Sequence, residues 1–377
     1  MPQLPRFLLQ TFIALLLIAF LPITGQLFAQ DKGKDLTVKV SHKKRTYIGK
    51  PMAWDGSEML LLRRDGRVST LPVKSEKDFS KLKEGFYPYS SVELKSRLRK
   101  EFGSGYQVSA TQNFVVVHPK GAYNVWAHPF QQLYSRFQWY FSSRGFQLEK
   151  PEFPMVAVVL KSRHDFDRFL RRYHEYNANI LGYYSPKSNR IITYDQTGGK
   201  GQKGDDWFFN ASTIIHEATH QTAFNTGIHS RYAPVPRWVS EGLAMMFESP
   251  GINNSGSNPS LSSRINRERL LALKYYYKKK KVKGKVSELV TRDDMFRSDP
   301  QLAYALSWGL SFYLNEKLAA RYHGFLRADA KRKDFRAYSS KQRAKAFSKS
   351  FGLNFQQLEA QMERYFKELK VPKKRTK

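Results

Sequence analysis

Short strand-like runs dominate the first part of this chain and helical spacing dominates the last. From Leu36 to Val73 the β-rich segments "LTVKV", "RTYIGKPMAW", "EMLLLRR" and "RVSTLPV" follow one another. Asp55-Gly56 and Asp65-Gly66 punctuate them, and Asp-Gly flanked by apolar runs is hairpin chemistry. The pattern predicts a small antiparallel barrel or meander within residues 30–80. Serine- and lysine-rich sequence from Lys74 to Leu98 reads as a linker running into a helix, with its unit at 81–105. From about Tyr106 the pattern is mixed: strand "NFVVVHP", helix "PFQQLYSRFQWYFSSRG", strand "MVAVVLKS", helix "RHDFDRFLRRYHEY" and hairpin "ILGYYSPKSNRIITYD".

Beyond Gly251 the signals are helical. The clearest is the last, where Asn354 and Gln357 form a capping-box-like start to Phe355, Leu358, Met362, Phe366 and Leu369. The fold class expected is α+β: a mixed core at 106–250, a helical C-terminal part at 251–377 and the small N-terminal β module. That module resembles the SH3-like units that often precede enzymatic domains in bacterial secreted proteins.

The chain has 377 residues, 41% hydrophobic, enough for real cores. Its first 29 residues are laid out as a secretory signal peptide: Arg6, an apolar run from Phe12 to Leu21, a breaker at Pro22 and small Ala29 before cleavage. The run is shorter than the ~20 residues of a spanning helix. A secreted or periplasmic protein is expected, with an uncleaved anchor as the alternative. Cysteine is absent, which excludes disulfides, thiolate ligands and cysteine nucleophiles. Lys and Arg number 64 against 32 Asp and Glu, a net +32, with a peak at "YYYKKKKVKGK", Tyr275 to Lys285. Such a field suits anionic cell-envelope polymers, and the alternative is a solvated, self-repelling surface. The glycine-rich "GGKGQKG", Gly198 to Gly204, is followed by Asp205 and Asp206, which would repel phosphate, so it reads as a loop.

The chemistry lies in "TIIHEATHQTAF", Thr213 to Phe224. On a helix His216 and His220 project from one face and can hold one cation. Glu217, about 100° around the axis, can take a proton from a water on that cation. Asn210 is the cap candidate and Gly227 the stop. A catalytic zinc takes three protein ligands and keeps an open position. Without cysteine, the third must be His, Asp or Glu. "PVPRWVSEGLAMMFE", Pro234 to Glu248, supplies Glu241 on a helix started by Pro236, among apolar neighbours that make an unpaired carboxylate costly. Gly242 beside it allows a close backbone approach.

His216-Glu217-x-x-His220 followed by Glu241 in "WVSEGLA" resembles the gluzincin metallopeptidases, the thermolysin-like zinc hydrolases. The likeness is greatest to a secreted bacterial family with a "HEATHQ" and "SEGLA" signature. It covers roughly Leu181 to Glu248, with looser agreement on either side. The resemblance implies His216, His220 and Glu241 as ligands of Zn2+, with Glu217 as general base. It also implies an oxyanion donor, Tyr or His, in the helices after the third ligand, for which Tyr304 in "LAYALSW" is the choice and His323 the rival. Ser240 stands where relatives that grip a substrate terminus often carry Asn, which speaks against an aminopeptidase. A metzincin would place a third histidine where Thr226 stands, and His229 reads as a loop residue. In zincins the substrate lies along an edge strand, a place the hairpin from Gly182 to Tyr194 is positioned to fill. The expectation is a zinc metallopeptidase acting on protein or peptide substrates, with no specific nucleic-acid partner. A non-catalytic polyanion-binding protein and a zinc amidase acting on cell-wall cross-links are the competing readings.

Overall fold

The computed structural model describes residues 36–120, 123–173, 180–198, 205–253, 259–332 and 338–373. The expected signal segment lies outside them, as does the glycine-rich loop beyond Gly198. At both Asp-Gly pairs the glycine takes the left-handed conformation a tight turn asks for, with φ of +84° at Gly56 and +79° at Gly66. Strands β1 (Thr37–His42), β2 (Arg45–Trp54), β3 (Glu58–Arg63) and β4 (Val68–Pro72) form an antiparallel meander. A fifth strand, β5 (Phe79–Leu82), pairs with β1, so the order is β4-β3-β2-β1-β5. This is an open sheet without barrel closure. Strand β5 falls within the stretch expected to be linker, because its Ser80-Lys81 centre carries no apolar alternation to read.

Ser90 and Glu93 form a capping box that starts α1 (Ser91–Phe102). The second sheet contains β6 (Tyr106–Ala110), β7 (Phe114–Pro119), β8 (Met155–Leu160), β9 (Gly182–Ser185) and β10 (Arg190–Tyr194), in the order β6-β7-β8-β10-β9. Its three central strands are parallel and both edges antiparallel. Strand period two divides the side chains between two faces. Phe114, Val116, Met155, Ala157 and Ile191 join the core built by α2 (Tyr123–Ser142) and α4 (Asp205–Asn225). Val115, Val117, Val156, Val158 and Ile192 join Leu94 and Leu98 of α1 and Phe166 and Leu170 of α3 (Arg163–Arg172) on the other face. The core sheet therefore lies between two helical layers.

Within the mixed core α5 (Arg237–Phe247) follows α4, and the part from about residue 251 is helical, as expected: α6 (Pro250–Asn253), α7 (Leu261–Arg264), α8 (Arg267–Lys278), α9 (Lys285–Thr291), α10 (Met295–Ser298), α11 (Pro300–Lys317), α12 (Ala319–Ala330), α13 (Ser340–Phe351) and α14 (Phe355–Glu368). Helix α14 starts where the capping signal lies, with Asn354 accepting from the Gln357 amide at 2.7 Å. Helix α11 is buried from Leu302 to Asn315, which its apolar character on all sides requires. Two glycines admit it between its neighbours. A Cβ on Gly242 would lie 2.6 Å from the Ser307 carbonyl oxygen, and one on Gly309 would lie 2.6 Å from Leu273 Cδ2. The close approach expected at Gly242 is thus made by α11. Among the described residues no helix is long and apolar enough to cross a membrane.

The N-terminal sheet meets the core at the β9–β10 turn. The Val68 amide donates to Lys187 O at 2.7 Å, and Arg231 donates to both Gly66 O and Pro186 O at 2.6 and 2.9 Å. Glu101 of α1 adds a two-pronged ion pair with Arg190 of β10, at 2.7 and 2.9 Å.

Candidate metal centre

Helix α4 carries the two histidines beneath the core sheet. Asn210, expected to cap it, lies inside it because the helix begins at Asp205. The Asn210 side chain instead accepts from the Gln196 amide at 3.0 Å and donates to Asp195 at 3.3 Å. The helix ends at Asn225, and Gly227 follows with φ of +77°, in keeping with its reading as a stop. Pro236 is the N-cap of α5, which brings Glu241 over α4.

His216, His220 and Glu241 meet there. The two Nε2 atoms are 3.2 Å apart, and Glu241 Oε2 lies 3.3 Å from that of His216 and 3.7 Å from that of His220. A tetrahedral zinc with ligand bonds of about 2.0–2.1 Å has donor atoms roughly 3.4 Å apart, so this triangle fits it. All three side chains are buried, and among the described residues Glu241 makes only the long contacts to the two imidazoles and one to Arg237 Nε at 3.6 Å. A buried carboxylate held so loosely is well suited to a closer cation. Burial would raise the Glu241 pKa, but the adjoining imidazoles hold it well below the usual carboxylate range.

Glu217 leaves the same helix toward β9. A Cβ on Gly182 would lie 3.3 Å from Glu217 Cγ and 2.7 Å from Thr213 Cγ2, so the edge strand approaches α4 closely only because residue 182 has no side chain. Both Glu217 oxygens are buried, and the Tyr184 backbone amide of β9 acts on the carboxylate. Burial pushes its pKa up to about 7, with the His216 charge opposing and Glu241 assisting.

Two residues around the triad carry weight that spacing alone did not reveal. Glu248 Oε1 lies 2.7 Å from His216 Nδ1, and its Oε2 accepts from Asn266 Nδ2 at 2.7 Å. With a cation held at the triangle, Nδ1 donating to that carboxylate would leave the His216 Nε2 lone pair for the metal. Burial acts to lower the His216 pKa, but Glu241 and Glu248 together raise it to about 10. Glu248 stands seven positions after Glu241, two turns along the same helical face, and that spacing was the available signal. Asn266 had no such signal, being brought in by the fold from the start of α8.

Tyr304 is on buried α11, where its hydroxyl oxygen accepts from Arg237 at 2.9 Å. Arg237 Nε in turn lies 3.6 Å from Glu241 Oε1, which links the phenol to the triad through one guanidinium. Burial raises the Tyr304 pKa, so the phenol is neutral. His323 packs edge-on against Phe146 at 5.1 Å between ring centres. His229 is buried between α4 and α5, edge-on to Phe224 at 5.2 Å.

A family model described as "Protein of unknown function (DUF1570)" matches residues 210–336. That stretch contains the triad, Glu217, Glu248, Asn266 and Tyr304. No curated protein matches the chain. Similar solved structures include a mutant M1 zinc metallopeptidase from Deinococcus radiodurans, 14% identical with a TM-score of 0.34 over 71% of this chain and 54% of that one. Another is a two-domain M1 zinc metallopeptidase mutant bound to L-arginine, 14% identical with a TM-score of 0.35 over 71% of this chain and 53% of that one. The chain spans about half the length of each, and both neighbours are zinc metallopeptidases.

Proposed function

We propose that this chain is an exported, zinc-dependent metallopeptidase-like hydrolase with a zincin-like core, in which His216, His220 and Glu241 hold the metal and Glu217 is the general base. The observation that carries the reading is the buried triangle of donor atoms at 3.2, 3.3 and 3.7 Å, with the buried Glu217 carboxylate on the helix of the two histidines. Zinc bound there supplies Lewis acidity to a water and to a substrate carbonyl. Glu248 orients His216. Glu217 takes the proton of the attacking water on a carboxylate oxygen and passes it to the leaving nitrogen. Tyr304 is the proposed donor to the developing oxyanion, its ring held by Arg237. An extended peptide adding to the edge strand β9 would pass Gly182, beside Glu217.

Metal analysis and a broad peptide digest test this reading. The expected result is about one zinc per chain, as a site with three ligands requires. Peptide cleavage should be lost with chelator and regained with zinc. Full zinc retention by His220→Ala would remove the site. Cleavage of cell-wall amides in place of peptides would make the protein a zinc amidase. The exposed Lys278–Lys281 run supports the further reading that anionic polymers are partners, through binding that weakens steeply with salt.

A further inference from the structure

A buried cation beside the metal centre stands outside the proposed mechanism. Helix α8 begins against the metal centre, where Asn266 donates to Glu248 at 2.7 Å and to Met245 O at 3.1 Å. Almost one turn later comes Arg269, 7% exposed, its backbone amide donating to Asn266 Oδ1 at 3.2 Å. Its guanidinium carbon lies 5.4 Å from the centre of the Tyr304 ring, and that of Arg237 lies 5.9 Å from the same centre. Two buried guanidinium groups thus share one phenol beside the metal ligands.

Their charges are not equally answered. Arg237 has Glu241 at 3.6 Å and the Tyr304 hydroxyl at 2.9 Å. Arg269 makes no ion pair among the described residues, and its Nη2 is buried without a hydrogen-bond partner. Two acids around the centre have other partners. Asp293 accepts from the Arg237 amide and from Arg343, at 3.1 and 2.8 Å, while Glu248 accepts from His216 and Asn266. Neutral Tyr304 contributes only its ring face. A desolvated guanidinium without an opposing charge is costly, and its planar fork matches a carboxylate.

We infer that Arg269, with Arg237 beside it, binds a substrate carboxylate close to the scissile bond, so that the preferred substrates are peptides bearing either a free C-terminus or an acidic side chain there. The inference rests on the peptidase reading and deepens it.

The test uses the full-length zinc-loaded enzyme and matched peptides differing only in a C-terminal carboxylate or amide, or in Glu or Gln beside the cleaved bond. Removing the recognised carboxylate should lower kcat/KM on the order of tenfold or more, mainly through KM, the scale of a hydrogen bond to a charged group. Dependence on the C-terminus or on the Glu side chain supports the inference and identifies the source. Dependence on neither overturns it. In Arg269→Ala the discrimination should fall to within about twofold, with zinc content and cleavage of the neutral peptide kept, and Arg269→Lys should restore part of it. Wild-type discrimination in Arg269→Ala overturns the inference. Calorimetric binding of an N-acetyl dipeptide carboxylate and its amide to the same proteins keeps the two readings separate. Failure to cleave any peptide counts against the peptidase reading, whereas equal binding of carboxylate and amide by wild type counts against the carboxylate site.

Discussion

Glu248 Oε1 lies 2.7 Å from Nδ1 of the candidate zinc ligand His216. A carboxylate behind a ligating imidazole fixes its tautomer and raises its basicity, and losing such a partner typically costs 10–100-fold in metal affinity. Glu248→Gln should therefore weaken zinc binding on that scale while leaving the fold intact. Competition against a chelator of known affinity measures it. Unchanged affinity would show that the contact does not tune the ligand.

Gly242 is where α11 crosses α5, and an added Cβ would meet Ser311 Oγ as well as the Ser307 backbone at 2.6 Å. The crossing lies one residue from Glu241 on α5. Gly242→Ala should destabilise the protein by about 1–3 kcal/mol, the usual cost of overpacking. Denaturant unfolding would show it as a lower midpoint at unchanged slope. A fully stable variant would mean that the two helices can separate freely.

Buried histidines away from the triad's donor atoms, His118, His229 and His323, set an acid limit on stability, and burial lowers the pKa of each. Burial lowers the His229 pKa to about 3 and the His323 pKa to about 4, with the Arg144 and Arg327 charges adding to the latter. In the unfolded chain both titrate near the ordinary value of about 6.5. Between those values the unfolded state binds protons that the folded state refuses, so stability is full above about pH 6.5 and declines as pH falls toward 4 and 3. Unfolding free energy measured across this window should show the decline, and His323→Gln should make it shallower. An identical slope in the variant would contradict the assignment to His323.

The amino-acid order located the candidate triad better than the architecture around it. His216, Glu217 and His220 were legible because a four-residue step on a helix fixes their relation whatever surrounds it. Glu241 followed from ligand count and the absence of cysteine. The Asp-Gly turns located the N-terminal hairpins because Gly56 and Gly66 need positive φ. Strand β5, by contrast, owes its existence to pairing with β1 rather than to its own pattern. Asn210 looked like a cap because the helical apolar pattern starts beside it, whereas α4 begins at Asp205. The Asn266 and Arg269 contacts depend on α8 returning to the metal centre, a long-range relation without local periodicity. Tyr304 could be selected as a candidate, but its link to Glu241 through Arg237 required the packing of α5 against α11.

The central claim is that Glu217 moves the proton and does not hold the metal. Its most direct test is the turnover of a cleaved peptide by wild type and Glu217→Gln at equal, measured zinc occupancy. Gln keeps the shape and hydrogen-bonding capacity of the side chain but cannot accept the proton. The expected result is undiminished zinc with turnover reduced about 10²-fold to 10⁴-fold, the range of general base catalysis. Unchanged turnover, or loss of zinc from the variant, would contradict the account.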